Sequence, residues 1–413
     1  MRRVVITGLG ALTPIGNDIP TFWENAINGN SGAGPITSFD TTHFKTKFAC
    51  ELKGFDVNVF FDRKEQRKYD PFTQYALVAS DEAINDSKID FSATDRDRVG
   101  VIWGSGNGGI QTYEAQLKEF HNGDGNPRFS PFLIPRILVD MPAGIISMRH
   151  DLRGVNYCPV SACATSTTAI IDAFNYIRWN KADVIVTGGS EAAITPSTIG
   201  GFGSAKALST QNDNPKGASK PFDVDRNGFV MGEGSGALIL EEYEHAKKRG
   251  AKIYGEVVGG GMAADAYHLT GTHPEGRGAI KGMTLALDEA GISPDEVDYI
   301  NMHATSTPQG DVSELKAVQS LFGARKSLAL GGTKSMTGHL LGAAGAIEAI
   351  LSIKSIETGI IPPTINTQSI EPDFAHLFDF PLKAKHQDVN YALSNTFGFG
   401  GHIAAILFKK IED

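Results

Sequence analysis

Three side chains of this sequence have the types needed for nucleophilic catalysis with imidazole support: Cys163, His303 and His339. Cys163 lies in VSACATSTT, where a strand-like run gives way to a helical pattern among small residues. Unpaired N–H groups and the positive dipole end at a helix start favour a thiolate over a thiol. We therefore expect Cys163 to have a lowered pKa and to act as a nucleophile, although a lone cysteine is more often a small buried hydrophobe.

Both histidines lie in glycine-framed polar loops. His303 follows the apolar run VDYIN in NMHATSTPQGD, and His339 lies in GGTKSMTGHLLGAAGAIEA, between Lys334 and Glu348. Loops at strand ends are a common place for chemistry on a rigid scaffold. The cysteine and the histidines show no CxxC, HxxH or HExxH spacing, so the sequence predicts no metal site.

Composition limits the possible functions. The chain has 413 residues, 41% of them hydrophobic, which is enough for one large globule or two packed halves. A net charge of -9 argues against nucleic acid as a partner. Three cysteines are too few for a disulfide framework, which favours the cytoplasm. The apolar segment GHLLGAAGAIEAILSI contains Glu348 and is short for a bilayer span, so we expect a buried helix and no membrane association.

Short β-branched runs alternate with helical patterns along the chain, which predicts an α/β fold with buried sheets. A charged helical stretch runs from Glu241 past Gly250 and marks an expected boundary between two halves, residues 1–250 and 251–413. The glycines Gly104, Gly106 and Gly109 match GxGxxG, but the loop-like HNGDGNPRFSPF that follows replaces the second strand of a dinucleotide site. No nucleotide cofactor is predicted.

At these residues the sequence resembles the β-ketoacyl-acyl carrier protein synthases, the condensing enzymes of fatty-acid synthesis, and most closely the synthase II type. The resemblance spans nearly the whole chain, through VVITGLGALTPIG, RKEQRK, VSACATS, GGFGSAKALST, PFDVDRNGFVMGEGSG, HATSTPQGD, KSMTGHLLGAAGAIE and NTFGFGGH. It implies a thiolase-like fold of five αβαβα layers made of two related halves, and a homodimer.

The resemblance also implies roles for individual residues. Cys163 matches the acyl-accepting nucleophile, His303 and His339 match the catalytic pair, and Lys334 matches a lysine that polarises them. Phe399 matches an oxyanion-hole position and gates the acyl pocket. Thr305 and Thr307 match the threonines that bind phosphopantetheine. The matches to supporting positions are Glu348, Asp311 and Glu314. For each carboxylate, a structural salt bridge or helix-start acid is an equally good interpretation.

The implied partner is acyl carrier protein, whose phosphopantetheine arm brings the acyl and malonyl groups, so that the enzyme needs no cofactor of its own. The matched docking positions are basic residues, namely Arg63, Lys64, Arg67, Lys68, Lys206 and Arg128. Such a patch suits electrostatic steering of a transient acidic partner, even on a net acidic enzyme.

Three positions depart from the family pattern. Ala304 replaces a glycine, Ile403 replaces an asparagine that braces the gating loop, and Asn107 puts an amide where the acyl pocket is often apolar. They leave open a specialised ketosynthase of a polyene or polyketide pathway with the same chemistry. A cysteine hydrolase would not explain the two histidines and the lysine, and a non-catalytic chain-length subunit would lack the nucleophile.

Overall fold

A computed structural model describes residues 1–411, so residues 412–413 of the expected second half lie outside the described residues. The strands are β1 (Val4–Leu12), β2 (Gly34–Pro35), β3 (Phe48–Ala49), β4 (Val99–Gly104), β5 (Asn156–Tyr157), β6 (Val184–Glu191), β7 (Gly234–Glu242), β8 (Gly255–Ala264), β9 (Tyr299–Asn301), β10 (Ala329–Gly331), β11 (Ile360–Ile361), β12 (Lys385–His386), β13 (Tyr391–Gly398) and β14 (His402–Lys409). The helices are α1 (Ile19–Ile27), α2 (Val57–Phe60), α3 (Arg63–Lys68), α4 (Pro71–Ser87), α5 (Ile110–Asn122), α6 (Leu133–Ile137), α7 (Met141–His150), α8 (Thr165–Arg178), α9 (Pro196–Ser204), α10 (Tyr243–Lys248), α11 (Arg277–Ala290), α12 (Pro308–Phe322), α13 (Lys334–Thr337), α14 (Ala344–Thr358) and α15 (Pro372–Ala375).

Ten strands form one continuous sheet in the order β10-β9-β13-β14-β8-β1-β7-β6-β4-β5. Its two halves meet where β1 pairs with β8, at Val4 opposite Val257. From that junction outward, both halves repeat the same pattern of two antiparallel pairings followed by two parallel pairings. The repeated strand order explains why the sequence shows strand–loop–helix units of similar style on both sides of residue 250.

Helices lie on both faces of each half-sheet. Helices α8 and α14 pack against each other between the two half-sheets, α4 and α7 cover the outer face of the first, and α11 covers that of the second beside α12. Because α14 has neighbours on all sides, it is apolar around nearly its whole circumference and buries even Glu348. Within residues 1–411, no helix combines the length and apolar character needed to cross a membrane.

Two local predictions need correction. Cys163 does not begin the α-helix itself but lies in a 3₁₀ turn, Ala162–Ala164, directly before α8. The charged stretch that was expected to be helical from Glu241 onward begins as the end of β7, and α10 starts only at Tyr243. Glu241 stays in the sheet because Thr7, His245 and Arg249 all bind its buried carboxylate.

Candidate active site

The turn that carries Cys163 has a backbone conformation that residues other than glycine rarely adopt. Ala162, the residue before the cysteine, has φ 51°, in the left-handed region. The β13–β14 hairpin closes over this turn so tightly that a Cβ on Gly398 would lie 2.4 Å from the carbonyl oxygen of Ser161. Only glycine fits at that point, and it lets the Phe399 backbone reach the cysteine.

The resting state of Cys163 differs from the prediction. Burial raises the pKa of its thiol to about 12, and the positive charge of Lys334 opposes this effect, as do the backbone N–H groups of Phe399 and Cys163. The expected lowering at a helix start is therefore outweighed by loss of solvent, since the sulfur lies below the surface. Burial therefore favours the thiol over the thiolate at Cys163.

One cavity of about 460 Å³ brings the predicted chemistry together. It is lined by the nucleophile, both histidines, both threonines and the hairpin phenylalanine, namely Cys163, His303, His339, Thr305, Thr307 and Phe399. The imidazole rings of the two histidines lie 5.3 Å apart, centre to centre, at 88° to each other. Residues from both halves of the chain thus face one space.

Both imidazoles are neutral at rest. Burial lowers the pKa of His303 and of His339 well below 6.5, and the charge of Lys334 lowers both further. Among residues 1–411, Nδ1 of each ring has no hydrogen-bond partner. A neutral imidazole carries one N–H, so each ring is able to donate one hydrogen bond into the cavity.

The charge behind the histidines belongs to a buried ion pair. The ammonium of Lys334, on α13, donates to the carboxylate of Glu348, on α14, and both side chains are almost completely buried. Burial raises the pKa of Glu348 to about 7, while Lys334 opposes that shift. This arrangement agrees with the predicted polarising role of Lys334 and support by Glu348.

The acids on α12 act through the backbone of the histidine loop. Glu314 accepts hydrogen bonds from the N–H groups of His303 and Ala304, each at 2.9 Å. Asp311 accepts from the N–H groups of Ser306 at 3.1 Å and Phe222 at 2.9 Å. Burial raises the pKa of Glu314 to about 7 and of Asp311 to about 6. The geometry therefore favours a positioning role for both.

The departure at Ala304 has a direct structural consequence. Ala304 is 1% exposed and has φ 31°, in the left-handed region where glycine is tolerated without strain. An alanine in that region carries a steric cost of about 1–2 kcal/mol. Two hydrogen bonds from this loop to Glu314 hold it in place, so the family's glycine is replaced without loss of the loop geometry.

The threonines and aromatic residues complete the cavity wall. The hydroxyls of Thr305 and Thr307 lie 3.1 Å apart at the cavity. The Phe399 ring lies 5.9 Å from Phe202, centre to centre, and Phe397, which we interpreted as core, is buried but also lines the cavity, 5.3 Å from the His303 ring. The cavity is thus polar near the histidines and threonines and aromatic beside the hairpin.

Ile403 does not leave the hairpin unbraced. Its side chain fills the space over two helical glycines, since added Cβ atoms on Gly278 and Gly282 would come within 3.0 Å and 2.8 Å of it. The hairpin turn is tied to a neighbouring loop by hydrogen bonds of 2.8 Å, from Gly400 N–H to Leu269 and from Asp265 N–H to Gly401. Apolar packing and backbone bonds replace the side-chain bond that we expected to be missing.

Asn107 follows β4 and lies beside a buried acid. It is half-buried and is not among the residues that line the cavity around Cys163. Its N–H donates to Glu191 at 3.0 Å. Glu191 is a fully buried acid that the sequence reasoning missed, and its only sequence signal is an acidic residue at the end of the apolar run ADVIVTGGSE.

The basic residues fall into separate groups. Helix α3 begins with an Asp62–Glu65 capping box and exposes all its basic side chains, which are Arg63, Lys64, Arg67 and Lys68. Lys206 is exposed and lines the same cavity as Cys163, whereas Arg128 is ion-paired with Asp124 at 3.0 Å. Lys206 alone among the six reaches the cavity wall.

Solved structures with the same fold identify the class. The ishigamide ketosynthase/chain length factor matches with a TM-score of 0.93 and 31% sequence identity, and the match covers 100% of both chains. A type II polyketide ketosynthase bound to its acyl-carrier protein matches with a TM-score of 0.91 and 32% identity, again over 100% of both chains. These matches confirm the predicted thiolase-like fold, and the fold with its cysteine–histidine cavity defines a ketosynthase.

The chain belongs to the beta-ketoacyl synthase family. Residues 1–246 match the family's N-terminal domain and residues 254–368 match its C-terminal domain. The 3-oxoacyl-[acyl-carrier-protein] synthase 2 of Staphylococcus aureus (strain COL) is 48% identical over 412 residues, which is 100% of this chain and 99% of that protein. The resemblance on which the sequence analysis relied is confirmed.

Proposed function

We propose that this protein catalyses the decarboxylative Claisen condensation of an acyl-enzyme thioester with malonyl-acyl carrier protein, which gives 3-oxoacyl-acyl carrier protein in fatty-acid elongation. The observation that carries the proposal is the single cavity shared by Cys163, His303 and His339. The similarity to the Staphylococcus aureus synthase 2 supports the substrate class.

In the first half-reaction, the sulfur of Cys163 attacks the carbonyl carbon of an acyl thioester on the carrier. The tetrahedral oxyanion accepts hydrogen bonds from the N–H groups of Cys163 and Phe399, which also lower the pKa of the Cys163 thiol. The carbon–sulfur bond to the carrier breaks, and the thiol proton leaves with the carrier's sulfur. The acyl chain is then held on Cys163, which divides a difficult condensation into two steps.

In the second half-reaction, malonyl-carrier loses carbon dioxide, and the bonding electrons form an enolate on its thioester. Neutral His303 and His339 donate their hydrogen bonds to that enolate oxygen where the charge develops. The enolate carbon attacks the acyl-cysteine carbonyl, the Cys163 sulfur leaves and takes up a proton, and the product is two carbons longer.

The remaining predicted residues position these groups. Lys334, balanced by Glu348, keeps both imidazoles neutral, and Glu314 and Asp311 fix the loop that carries His303. We assign the hydroxyls of Thr305 and Thr307 to the phosphopantetheine arm, because they line the cavity that the arm must enter. On this assignment, the catalytic residues are those that touch substrate, whereas the carboxylates of Glu348, Glu314 and Asp311 act by positioning those residues.

We also propose that acyl carrier protein docks on the exposed basic side chains of α3 and on Lys206, at the cavity wall. A solved relative is bound to an acyl-carrier protein, which supports this partner class. The enzyme would need no metal or cofactor, because both substrates arrive on the carrier's arm.

Dimerisation is proposed through the edge of the sheet at β5, which has a neighbour on one side only in the described chain. An unpaired edge strand offers N–H and C=O groups to a second copy. Two exposed apolar side chains flank it, Met148 on the adjoining α7 and Val160 just after β5. A measured mass of two chains in solution, falling to one chain on Val160→Asp, tests this surface.

We further propose a functional division at residue 250, with the nucleophile in 1–250 and the histidines in 251–413, and a cytoplasmic location. The repeated strand order on either side of residue 250 supports the division. The three cysteines, all free, support a reducing compartment.

The specialised polyene or polyketide alternative is not favoured. The identity to the synthase 2 relative is 48%, against 31% and 32% to the polyketide-type structures.

The test follows the two half-reactions separately. Intact mass after incubation with saturated acyl carriers should show one acyl adduct, and addition of malonyl-carrier should convert it to the extended 3-oxoacyl product. Cys163→Ala should form no adduct, whereas His303→Ala should acylate and fail to condense. Normal condensation by Cys163→Ala would refute the mechanism, and an adduct that malonyl-carrier only hydrolyses would indicate a hydrolase.

A further inference from the structure

Glu191 is a charged group at the centre of the molecule that the proposed reaction does not use. Glu191 is the last residue of β6 and is 0% exposed. Its carboxylate accepts four hydrogen bonds. The donors are the hydroxyl of Ser105 at 3.2 Å and the N–H groups of Gly106 at 2.9 Å, Asn107 at 3.0 Å and Gly342 at 3.0 Å. Burial raises the pKa of Glu191, and the N–H groups of Gly106, Asn107 and Gly342 oppose that shift by favouring the charged form.

These donors come from two distant parts of the chain. Gly106 and Asn107 follow β4 in the first half, whereas Gly342 lies in the turn that leads from His339 into α14. The turn that bears Cys163 reaches the same point, because a Cβ on Gly106 would lie 2.9 Å from Glu191 Oε2 and 3.5 Å from the carbonyl oxygen of Ala162.

Both turns near Glu191 carry strained backbone. Ala162, next to Cys163, has φ 51°, and Leu341, next to Gly342, has φ 48°. Left-handed backbone at residues other than glycine persists only where surrounding contacts hold it. The Glu191 carboxylate supplies such a contact directly to Gly342, the residue after Leu341.

We propose that Glu191 is a positioning residue that joins the turn after His339 to the first half of the chain, and so fixes the distance between the nucleophile and the histidines. This inference rests on the proposed function for its consequence in catalysis. The electrostatic effect of Glu191 does not rest on the proposed function, because its negative charge helps to raise the pKa of the Cys163 thiol, against the lowering effect of Lys334. The other titratable groups in the wall of this cavity are His303, His339, Lys206, Asp265, Tyr267, His268 and Glu314.

The test compares Glu191→Gln, which removes the charge, with Glu191→Asp, which keeps the charge and shortens its reach. Alkylation of Cys163 by iodoacetamide at fixed pH measures the thiolate fraction, and acyl transfer from acyl-carrier measures positioning. Glu191→Gln should alkylate about tenfold faster, since a thiol pKa about one unit lower means tenfold more thiolate. Glu191→Asp should alkylate within about threefold of the parent. Both should transfer acyl groups at least about tenfold more slowly.

Glu82→Gln is the matched control. Glu82 is another largely buried carboxylate, bound by the N–H groups of Ala11 and Ile19 at 2.8 Å each, but it does not line the cavity. Glu82→Gln should leave the rates of alkylation and of acyl transfer unchanged.

Equal acceleration of alkylation in Glu191→Gln and Glu191→Asp would mean that exposure of the thiol, and not the charge of Glu191, is responsible. That result would overturn the electrostatic part of the proposal. Parent-like acyl transfer in Glu191→Asp, or failure of both variants to fold, would overturn the positioning role. If the parent protein alkylates but never accepts an acyl group, the proposed function fails while the alkylation comparison still stands.

Discussion

Gly398→Ala is the smallest change that should separate the oxyanion hole from the nucleophile. The added methyl carbon would lie 2.4 Å from the carbonyl oxygen of Ser161 and 3.2 Å from the nitrogen of Cys163. Ordinary contact begins near 3.4 Å, so the hairpin must retreat from the cysteine turn by about 1 Å. The obstacle is backbone, which has no rotamer with which to move aside.

That retreat displaces the Phe399 N–H, one of the two backbone groups that lower the pKa of the Cys163 thiol. A hydrogen bond lengthened by about 1 Å from an ordinary distance is lost. Loss of one oxyanion-hole donor costs about 100- to 1,000-fold in rate. Overpacking should destabilise the folded state by about 1–3 kcal/mol, and a protein of this size should still fold. We expect Gly398→Ala to fold and to acylate Cys163 about 100-fold more slowly.

The assay is the rate of acyl-enzyme formation, followed by intact mass after rapid quenching, with iodoacetamide labelling to show that Cys163 is still present and reduced. Gly203→Ala on α9 is the matched control, because a methyl there meets nothing within 4 Å. If Gly398→Ala acylated at the rate of Gly203→Ala, the hairpin backbone would not be part of the oxyanion hole, and the role of Phe399 would be refuted.

Further outcomes concern charge. Lys334→Met removes a charge that holds the pKa of both histidines low, so their pKa values should rise toward 6.5. The acid limb of the pH–rate profile for malonyl decarboxylation should then move to higher pH. An acid limb that does not move would leave burial as the sole cause of the low histidine pKa values. Combined Arg67→Glu and Lys68→Glu should raise the KM for acyl carrier about tenfold and flatten its salt dependence with kcat unchanged, because exposed charges steer encounter. Arg128→Glu should change KM less, since Arg128 already pairs with Asp124, and equal effects would contradict docking on α3.

The sequence predicts the alternation of strands and helices, the helix at RKEQRK and the convergence of Cys163 with two histidines, because each depends on local pattern or on motifs whose order along the chain is retained. The predicted roles of Glu314 and Asp311 as supports agree with their bonds to the loop backbone. The alternation and the helix follow from residue type and spacing, whereas the pairing of the histidines with Cys163 and the roles of Glu314 and Asp311 are what the resemblance implies.

Other features depend on three-dimensional burial, which spacing does not encode. The thiol pKa of Cys163 was expected to fall because a helix start lies beside it, yet burial raises it to about 12. Glu191 shows no motif, since its four donors come from segments separated by more than two hundred residues. The backbone N–H of Asn107 donates to that buried acid, a contact that no local pattern in the sequence indicates.

The correction at Cys163 changes how the site must work. Burial raises the pKa of the Cys163 thiol to about 12, which disfavours the thiolate that alkylating and oxidising agents attack. The reaction must then obtain its thiolate while the acyl thioester is bound, when the two N–H groups beside the sulfur also stabilise the oxyanion. The histidines follow the same logic, because burial and Lys334 keep them neutral until the enolate brings the negative charge that their N–H groups can bind. The fixed charges of Lys334 and Glu191 act on Cys163 with opposite sign, since Lys334 lowers the pKa of its thiol and Glu191 raises it.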